Sequence, residues 1–396
     1  MYFFLNGFYS DAFIVMRLSQ LPFLRRGFLL LSIFVLSVSG CSSVDVRKPA
    51  PLLDFKPQVE VKPAWSISVG KSEVPVFGPV VVGSALIAAS AQGQVTKIDG
   101  KNGQVLWQTQ IDGDISAGPA SDGNTTVVVN TKGKVFALDE NGKSRWQKTV
   151  SAEVLSPALV TDKLVIVRTL DGRIYAFDVH TGEQRWLYQR VASSLVLRTA
   201  LGMNVWENNL VAGFPGGKLA LIGLDNGAMV WEVALALSKG VSEIERLVDV
   251  AGMPAVSGRY VCSAAFQGRL GCFELATGVV QWSTDFSGVT GSVMDNAGVY
   301  ASDGKSVVSG FNTQNGKLLW RNDKLLWRNV GVPLLKNDVL VMGDGEGYVH
   351  FLSTKDGEML ARAVSDGSAV SAAPVMVGNT LVVQTRNGRL YGYTWL

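Results

Sequence analysis

The sequence predicts an all-β protein, an eight-bladed β-propeller in which each blade contains four antiparallel strands. Two observations predict this class. A short phrase, in which a turn glycine is followed four residues later by tryptophan, returns about every forty residues. Between these phrases, apolar residues alternate with a period of two in short runs that glycine-containing turns separate. The composition is that of a globular protein, because hydrophobic residues make up 47% and charged residues only 17%.

The first forty residues have the features of a secretory signal peptide. Arg25 and Arg26 precede the apolar run FLLLSIFVLSVSG over residues 28–40. This run is too short to span a membrane comfortably. Residues 1–15 fit a signal peptide poorly, which makes Met16 an alternative start of translation. We therefore assign residues 1–40 to a signal peptide.

The tetrapeptide Val38-Ser39-Gly40-Cys41 resembles a bacterial lipobox, the signal in which the cysteine becomes the acylated first residue of the mature protein. The alternative is an ordinary secreted protein with an incidental cysteine. In lipoproteins generally, serine after that cysteine, here Ser42, favours the outer membrane over the inner one. The prolines of residues 41–63 predict an extended, unpacked tether. The folded body is expected to begin at residue 64 and to continue to residue 396.

The repeated phrase marks the end of each repeat. Its glycines are Gly103, Gly142, Gly182, Gly227, Gly278, Gly316 and Gly357, and the residues four positions later are Trp107, Trp146, Trp186, Trp231, Trp282, Trp320 and Ala361. The duplicated KLLWRND-KLLWRN at residues 317–329 leaves open whether Trp320 or Trp327 takes the structural place. Seven repeats of about forty residues with four short strands each predict seven complete blades.

The phrase itself has a structural explanation. In the repeat that ends at Trp186, the Asp178 carboxylate is placed to accept amide hydrogens of the turn. Gly182 supplies a positive φ at low cost. The tryptophan then lies on the outermost strand, where its large ring covers the apolar face between neighbouring blades. We expect the same blade-docking role for all six repeat-ending tryptophans.

The two ends of the chain are expected to complete an eighth blade. Residues 368–396 supply about three strands, and residues 64–69, which include Trp65, supply the missing fourth. Pairing them closes the ring and removes the exposed sheet edges that an open array would leave.

The sequence offers little for catalysis. The chain has two histidines, His180 and His350, and neither lies in a metal-ligand spacing. We expect no metal, no cofactor and no catalytic residue. A net charge of +3 over 396 residues is too small to indicate a nucleic-acid-binding protein. Cys262 and Cys272 flank a predicted hairpin, so either a disulfide or a pair of buried thiols fits the sequence.

Two stretches depart from the repeat and are the candidates for recognition, because propeller loops carry function while strands carry the scaffold. The first is SSLVLRT, with Leu195, Leu197 and Arg198, and its leucines point either outward or into the core. The second lies within residues 233–254. Its candidate binding residues are Glu243, Arg246 and Asp249. Leucines beside arginine and acidic residues fit a protein-binding patch.

The lipobox, the tryptophan-docked blades and the two loop sequences L-x-L-R and E-I-x-R-L-x-D-V together resemble the BamB family. These lipoproteins belong to the outer-membrane β-barrel assembly (BAM) machinery, and the resemblance covers essentially the whole mature chain. It implies that Leu195, Leu197, Arg198 and Asp249 contact a periplasmic POTRA domain of BamA. It also implies contact with other BAM subunits and with unfolded barrel precursors, and a lipid anchor on the periplasmic face of the outer membrane. The family tends to have a second acid two residues after the aspartate, where this chain has Ala251.

Two alternatives remain at this stage. Pyrroloquinoline-quinone dehydrogenases share the blade phrase, but they need calcium-ligating acids and usually a vicinal cysteine pair, which the mature chain lacks. The other alternative is a cell-envelope adaptor with a different partner.

Overall fold

The computed structural model describes residues 47–72, 77–190, 195, 197–199, 202–238, 240–242, 244–288 and 290–395. Within these ranges, thirty-two strands form eight four-stranded antiparallel sheets. The predicted eight-bladed propeller is thereby confirmed. No helix in the described ranges is both long and apolar enough to cross a bilayer. The predicted signal peptide and Cys41 lie outside the described residues.

The first four blades follow one another along the chain. Blade 1 consists of β2 (Val80–Val82), β3 (Ala85–Ala89), β4 (Gln94–Asp99) and β5 (Val105–Gln110). Blade 2 consists of β6 (Ile115–Ser121), β7 (Thr126–Asn130), β8 (Lys134–Leu138) and β9 (Ser144–Thr149). Blade 3 consists of β10 (Leu159–Val160), β11 (Leu164–Arg168), β12 (Arg173–Asp178) and β13 (Gln184–Gln189). Blade 4 consists of β14 (Met203–Trp206), β15 (Asn209–Phe214), β16 (Lys218–Gly223) and β17 (Met229–Ala234).

The remaining blades continue in the same order, except for the last. Blade 5 consists of β18 (Ala255–Ser257), β19 (Tyr260–Ala264), β20 (Arg269–Glu274) and β21 (Val280–Asp285). Blade 6 consists of β22 (Ser292–Met294), β23 (Gly298–Ser302), β24 (Val308–Asn312) and β25 (Leu318–Asn322). Blade 7 consists of β26 (Leu334–Lys336), β27 (Val339–Gly343), β28 (Tyr348–Ser353) and β29 (Met359–Val364). Blade 8 combines β30 (Val375–Val377), β31 (Thr380–Gln384) and β32 (Arg389–Trp395) with β1 (Val61–Ser68), which pairs with β32.

The tryptophans join neighbouring blades in the predicted way. The indole N–H of Trp282 donates to the carbonyl of Thr313 in the next blade at 2.7 Å, and its ring covers Gly316 so closely that a Cβ there would lie 2.3 Å from it. The same arrangement holds at Trp65, Trp107, Trp146, Trp186, Trp231 and Trp320, whose acceptors are the carbonyls of Gly100, Glu140, Val179, Leu224, Leu275 and Thr354. The turn glycine is therefore required twice, for its positive φ and for the space that the indole ring occupies.

The structure decides between the duplicated tryptophans. Trp320 is the docking residue, because its indole N–H donates to Thr354 and its ring covers Gly357. Trp327 instead lies in the connection to blade 7 with a positive φ of 59°.

The tether prediction for residues 41–63 needs correction in its second half. β1 begins at Val61, and residues 50–59 already contact blades 6 and 7. The amide of Ala50 donates to Leu326 at 2.9 Å, and Arg362 donates to the carbonyl of Leu53 at 3.1 Å. The junction after blade 7 has Ala361 in place of tryptophan, and Val59 and Val61 pack in the apolar cluster that contains it. Apolar side chains between the prolines thus hold this segment on the propeller.

Each blade has two ends, which form two faces of the propeller. We call "loop face" the face with the connections between blades and the turns between the second and third strand of each blade. The opposite "turn face" has the remaining turns, including those with the docking glycines. Hydrogen bonds join neighbouring loops on the loop face, for example from Leu235 to Gly217 and from Phe266 to Asp249, both at 2.8 Å. The loop face is therefore a continuous layer built on a rigid scaffold.

Cys262 and Cys272 form a disulfide in blade 5, where they are directly opposite each other on β19 and β20. Both are fully buried, in one apolar cluster with Trp282. The sequence left this pair open between a disulfide and free thiols.

A buried charge cluster lies where residue 50 meets blade 7. Asp344 accepts hydrogen bonds from Arg328 at 2.7 Å and from His350 at 2.8 Å, and Arg328 also donates to Ala50. Burial raises the pKa of Asp344, but these hydrogen bonds outweigh it and hold that pKa below its usual value. Burial lowers the pKa of His350, although Asp344 opposes this effect.

The free energy of unfolding is therefore expected to fall as the pH is lowered from 7 towards 5. The unfolded histidine takes up a proton near pH 6.5, whereas folded His350, with its lowered pKa, takes one up only at a lower pH. One such group changes stability by at most about 1.4 kcal/mol per pH unit. Urea titrations across this range would measure the slope. His350→Gln should flatten this slope, and a slope in the variant equal to that of the parent would contradict the assignment.

Candidate protein-docking surface

The two departures from the repeat meet on the loop face. One lies in the connection from β13 to β14, and the other in the connection from β17 to β18. The Asp249 carboxylate accepts the amide hydrogen of Leu197 at 2.7 Å across 52 residues of sequence. We call residues 195, 197–199, 240–242 and 244–249 the docking surface. Glu243, predicted as a further member, lies outside the described residues.

Asp249 is buried, with only 1% of its surface exposed. Its second oxygen accepts the amide of Gly216 at 3.3 Å, and its own carbonyl accepts the amide of Phe266. A carboxylate placed in this way satisfies one backbone donor of the connection from β13 to β14 and one of the turn between β15 and β16. Asp249 thus holds the Leu197 backbone in place rather than presenting a charge to solvent. Ala251, the position of the second acid in the family, is fully buried too.

Leu195 and Arg198 are the exposed members of the first stretch. Leu195 is 39% exposed, so it is not a core residue, and Leu197 is half-buried. The Arg198 guanidinium lies 2.8 Å from the carboxylate of Glu153 in the preceding connection. This pair is largely exposed on the arginine side, which leaves Arg198 able to meet a second acidic group.

Ser242 and Glu245 shape the second stretch as a capping box around one helical turn. The Ser242 hydroxyl accepts the amide of Glu245 at 3.2 Å, while the Glu245 carboxylate accepts the amides of Val241 and Ser242. The amide of Ser242 is the main reason that the pKa of Glu245 lies below its usual value. Arg246 donates from Nε to the carbonyl of Gly240 at 3.0 Å. This capping box was not among the predicted features, although its S-x-x-E spacing is visible in the sequence.

The same connections carry further exposed apolar side chains. Besides Leu195, they are Leu237, Val241, Ile244 and Met253, which are at least half exposed. Several large apolar side chains exposed on the loops of one connection are typical of a protein-binding site. These four residues could not be predicted from the sequence, because the exposure of an apolar loop residue depends on the fold around it.

A buried arginine lies beneath the docking surface. Arg168 ends β11, donates from Nη1 to the carbonyl of Gly213, and lies 4.5 Å from the centre of the Phe214 ring. Burial, and next the nearby Arg190, lower the pKa of Arg168 to about 9, while Asp249 opposes the shift. Within the described residues, its Nε and Nη2 have no hydrogen-bond partner. Asp249 therefore has a second task, since it lies close enough to offset this buried positive charge.

The turn face has a cavity of about 640 Å³ between blades 3 and 4, with Asp162, Lys163, Arg185 and Glu207 among its lining residues. The ranges that the structure describes contain no group of three or more His, Cys, Asp or Glu residues arranged for a metal ion. The docking surface, on the other face, is the better-defined candidate site.

Comparison with known proteins gives a consistent picture. The family model described as outer membrane protein assembly factor BamB matches residues 91–322 and 304–395. The BamB assembly factor of Burkholderia pseudomallei is 48% identical over 362 residues, which cover 91% of this chain and 95% of that protein.

Solved structures agree with the sequence matches. The crystal structure of BamB from Moraxella catarrhalis superposes with a TM-score of 0.79 at 26% identity, covering 85% of this chain and all of that one. A quinohemoprotein alcohol dehydrogenase from Comamonas testosteroni superposes with a TM-score of 0.66 at 15% identity, covering 87% of this chain and 78% of the dehydrogenase. The second likeness shows the fold alone.

Proposed function

Because this chain belongs to the BamB family of outer-membrane protein assembly factors, we propose that it serves the BAM complex as a scaffold that binds the POTRA region of BamA through its docking surface. The observation that carries this proposal is the hydrogen bond from Leu197 to Asp249. It joins the two candidate stretches and fixes Leu195 and Arg198 at the surface before any partner arrives. A preformed surface lowers the entropy cost of binding.

Like its relatives, the chain is an assembly factor and not an enzyme. Quinone-dependent dehydrogenases share only the fold. The dehydrogenase alternative therefore rests on fold likeness alone, which says little about function.

The location follows from the same proposal. A member of this family works at the outer membrane, and the lipobox cysteine Cys41 would hold it there by acyl chains on the periplasmic side. The propeller touches the bilayer through this anchor only. Unfolded barrel precursors are the second class of partner, and they would meet the complex while BamA is held on the loop face. No nucleic acid takes part.

Capture of the BamA POTRA region on immobilised protein tests the proposal. Arg198→Ala is expected to weaken capture about tenfold, or about 1.4 kcal/mol, because it removes the exposed guanidinium from the surface. Arg185→Ala is the matched control, since Arg185 is an exposed, ion-paired arginine on the opposite side of blade 3. Equal capture by both variants and the parent would reject the docking surface.

Asp249→Asn should weaken capture for a different reason. The amide keeps one acceptor oxygen, but it turns an N–H₂ group towards a backbone donor and removes the charge near Arg168. We expect a loss of about 1–3 kcal/mol of stability, faster hydrogen exchange at the Leu197 amide, and weaker capture. Asp303→Asn is the control. Asp303 also accepts two backbone amides on the loop face, but in blade 6, away from the docking surface. If both variants bind alike, Asp249 does not position the docking surface.

A further inference from the structure

Two arginines in the described part of the chain are almost completely buried, Arg168 with 3% and Arg328 with 2% of the residue exposed. In both, Nη1 donates to a backbone carbonyl, that of Gly213 for Arg168 and that of Ala50 for Arg328. The other nitrogens, Nε and Nη2, form the edge of the guanidinium that can bind an anion with two hydrogen bonds at once. The groups that meet this edge decide whether the buried charge is balanced.

The Nε/Nη2 edge of Arg328 is satisfied by two acidic side chains. Its Nε donates to the Asp344 carboxylate at 2.7 Å, and its Nη2 donates to the Glu346 carboxylate at 2.5 Å. Charge-assisted hydrogen bonds of this kind offset the cost of taking a guanidinium out of water. Arg328 therefore shows how this fold balances a buried arginine from within the chain.

The same edge of Arg168 has no such partner. Among the described residues, neither its Nε nor its Nη2 has a hydrogen-bond acceptor, although both atoms are buried. The nearby Asp249 uses its two carboxylate oxygens for the amides of Leu197 and Gly216. Burial, and next the nearby Arg190, lower the pKa of Arg168 to about 9 in spite of Asp249. The positive charge of Arg168 is therefore only partly balanced by the protein.

A small cavity lies beside Arg168. Three residues with hydroxyl groups, Ser156, Thr169 and Thr199, also line it. Its volume is about 10 Å³, which is the room that one water molecule or one monatomic ion needs. A carboxylate or a sulfate has several heavy atoms and exceeds this volume. Because Thr199 directly follows Arg198, the cavity lies at the base of the connection that carries the first stretch of the docking surface.

We propose that this cavity binds one small monovalent anion, such as chloride, which accepts hydrogen bonds from Nε and Nη2 of Arg168. The anion takes the place at Arg168 that two carboxylates take at Arg328. A water molecule would satisfy the same two donors but would leave the charge unbalanced, so the charge favours an anion. The bound anion ties β11 to the connection that contains Thr199. This inference goes beyond the proposed function, because the site needs no partner protein.

Thermal unfolding at constant ionic strength tests the site in solution. Potassium chloride replaces potassium gluconate stepwise, since gluconate is too large for the cavity. The Tm of the parent is expected to rise by about 2 °C and then to level off, because chloride binds the folded state only. Arg168→Gln should abolish this rise. Arg328→Gln is the matched control, and the rise should persist in it. The same rise in all three proteins, or no rise in the parent, would overturn the proposal.

A second measurement needs no substitution. Crystals of the parent grown with bromide in place of chloride should show an anomalous-scattering peak in the cavity, within hydrogen-bonding reach of Nε and Nη2 of Arg168. Density without an anomalous signal at that place would identify the occupant as water and contradict the proposal.

An acidic side chain of a partner is the remaining alternative occupant. Chloride would then compete with the BamA POTRA region and weaken its capture at constant ionic strength, which would also contradict the proposal. We expect chloride to leave capture undiminished. The effect of Arg198→Ala on capture is measured separately, so the anion site and the docking surface can fail independently.

Discussion

Replacing Trp282 with alanine is expected to lower the free energy of unfolding by about 3–5 kcal/mol. The side chain is 8% exposed, and its indole N–H donates to Thr313 of the next blade at 2.7 Å. Its removal empties the space over Gly316 and leaves the Thr313 carbonyl without that donor. Because the contact joins two blades, the loss should also loosen the junction between blades 5 and 6. Chemical denaturation would measure the change in the free energy of unfolding. Unfolding would be monitored by far-UV circular dichroism, because the variant lacks one of the tryptophans on which fluorescence depends.

A glycine series separates the ring contact from backbone strain. Gly316→Ala places a Cβ 2.3 Å from the Trp282 ring at a φ of +69°, whereas Gly367 has a φ of +81° but nothing within 4 Å. Gly304 has open space and no positive φ. We expect Gly367→Ala to cost about 1–2 kcal/mol from strain alone, Gly316→Ala to cost clearly more, and Gly304→Ala to be near neutral. If Gly316→Ala and Gly367→Ala lower the free energy of unfolding equally, the Trp282 ring tolerates a side chain at residue 316, which would contradict the prediction.

The repeat could be predicted because each copy of the short motif contains both residues of the contact between blades, the turn glycine and the tryptophan. The tryptophan supplies the ring, and the glycine of the next phrase supplies the surface that the ring covers, as with Trp282 and Gly316. The period of about forty residues then fixes the number of blades, and the leftover strand with Trp65 fixes the closure. These signals are local and repeat along the chain, so the number of blades and the ring closure can be predicted from a single sequence.

The site was only partly predictable. Leu195 and Arg198 stand out as residues that the repeat does not explain, and the structure places both at the surface. Whether Asp249 points outward could not be decided from the sequence, because its partner Leu197 is 52 residues away. Arg168 carries no distinguishing signal in the sequence, because its burial depends on contacts with Gly213 and Phe214 in the next blade. Long-range hydrogen bonds of this kind have no pattern along the chain.

The N-terminal segment illustrates the same limit. Its prolines and charges indicated an extended segment, and residues 50–59 indeed form no strand. Ala361 in place of the last tryptophan is visible in the sequence, but the packing of Val59 and Val61 in the apolar cluster beside it is not. Missing packing partners become visible only when the neighbouring blade is placed.

Leu195→Asp should abolish most of the affinity for the BamA POTRA region. Leu195 is 39% exposed on the docking surface, which also exposes Ile244 and Val241, and a partner bound there would bury it. A carboxylate buried there without a counter-charge costs several kcal/mol, so we expect at least a hundredfold weaker binding. The folded state should keep its stability, because the side chain already faces solvent.

The most direct test of the account is a calorimetric titration of the BamA POTRA region into the parent, Leu195→Asp and Leu187→Asp. Leu187 is the matched control, since it is 42% exposed on the outer strand of the same blade but away from the loop face. The account predicts at least a hundredfold rise in Kd for Leu195→Asp and less than a twofold change for Leu187→Asp, with equal melting temperatures. A parental Kd for Leu195→Asp, or the same loss for both variants, would contradict it.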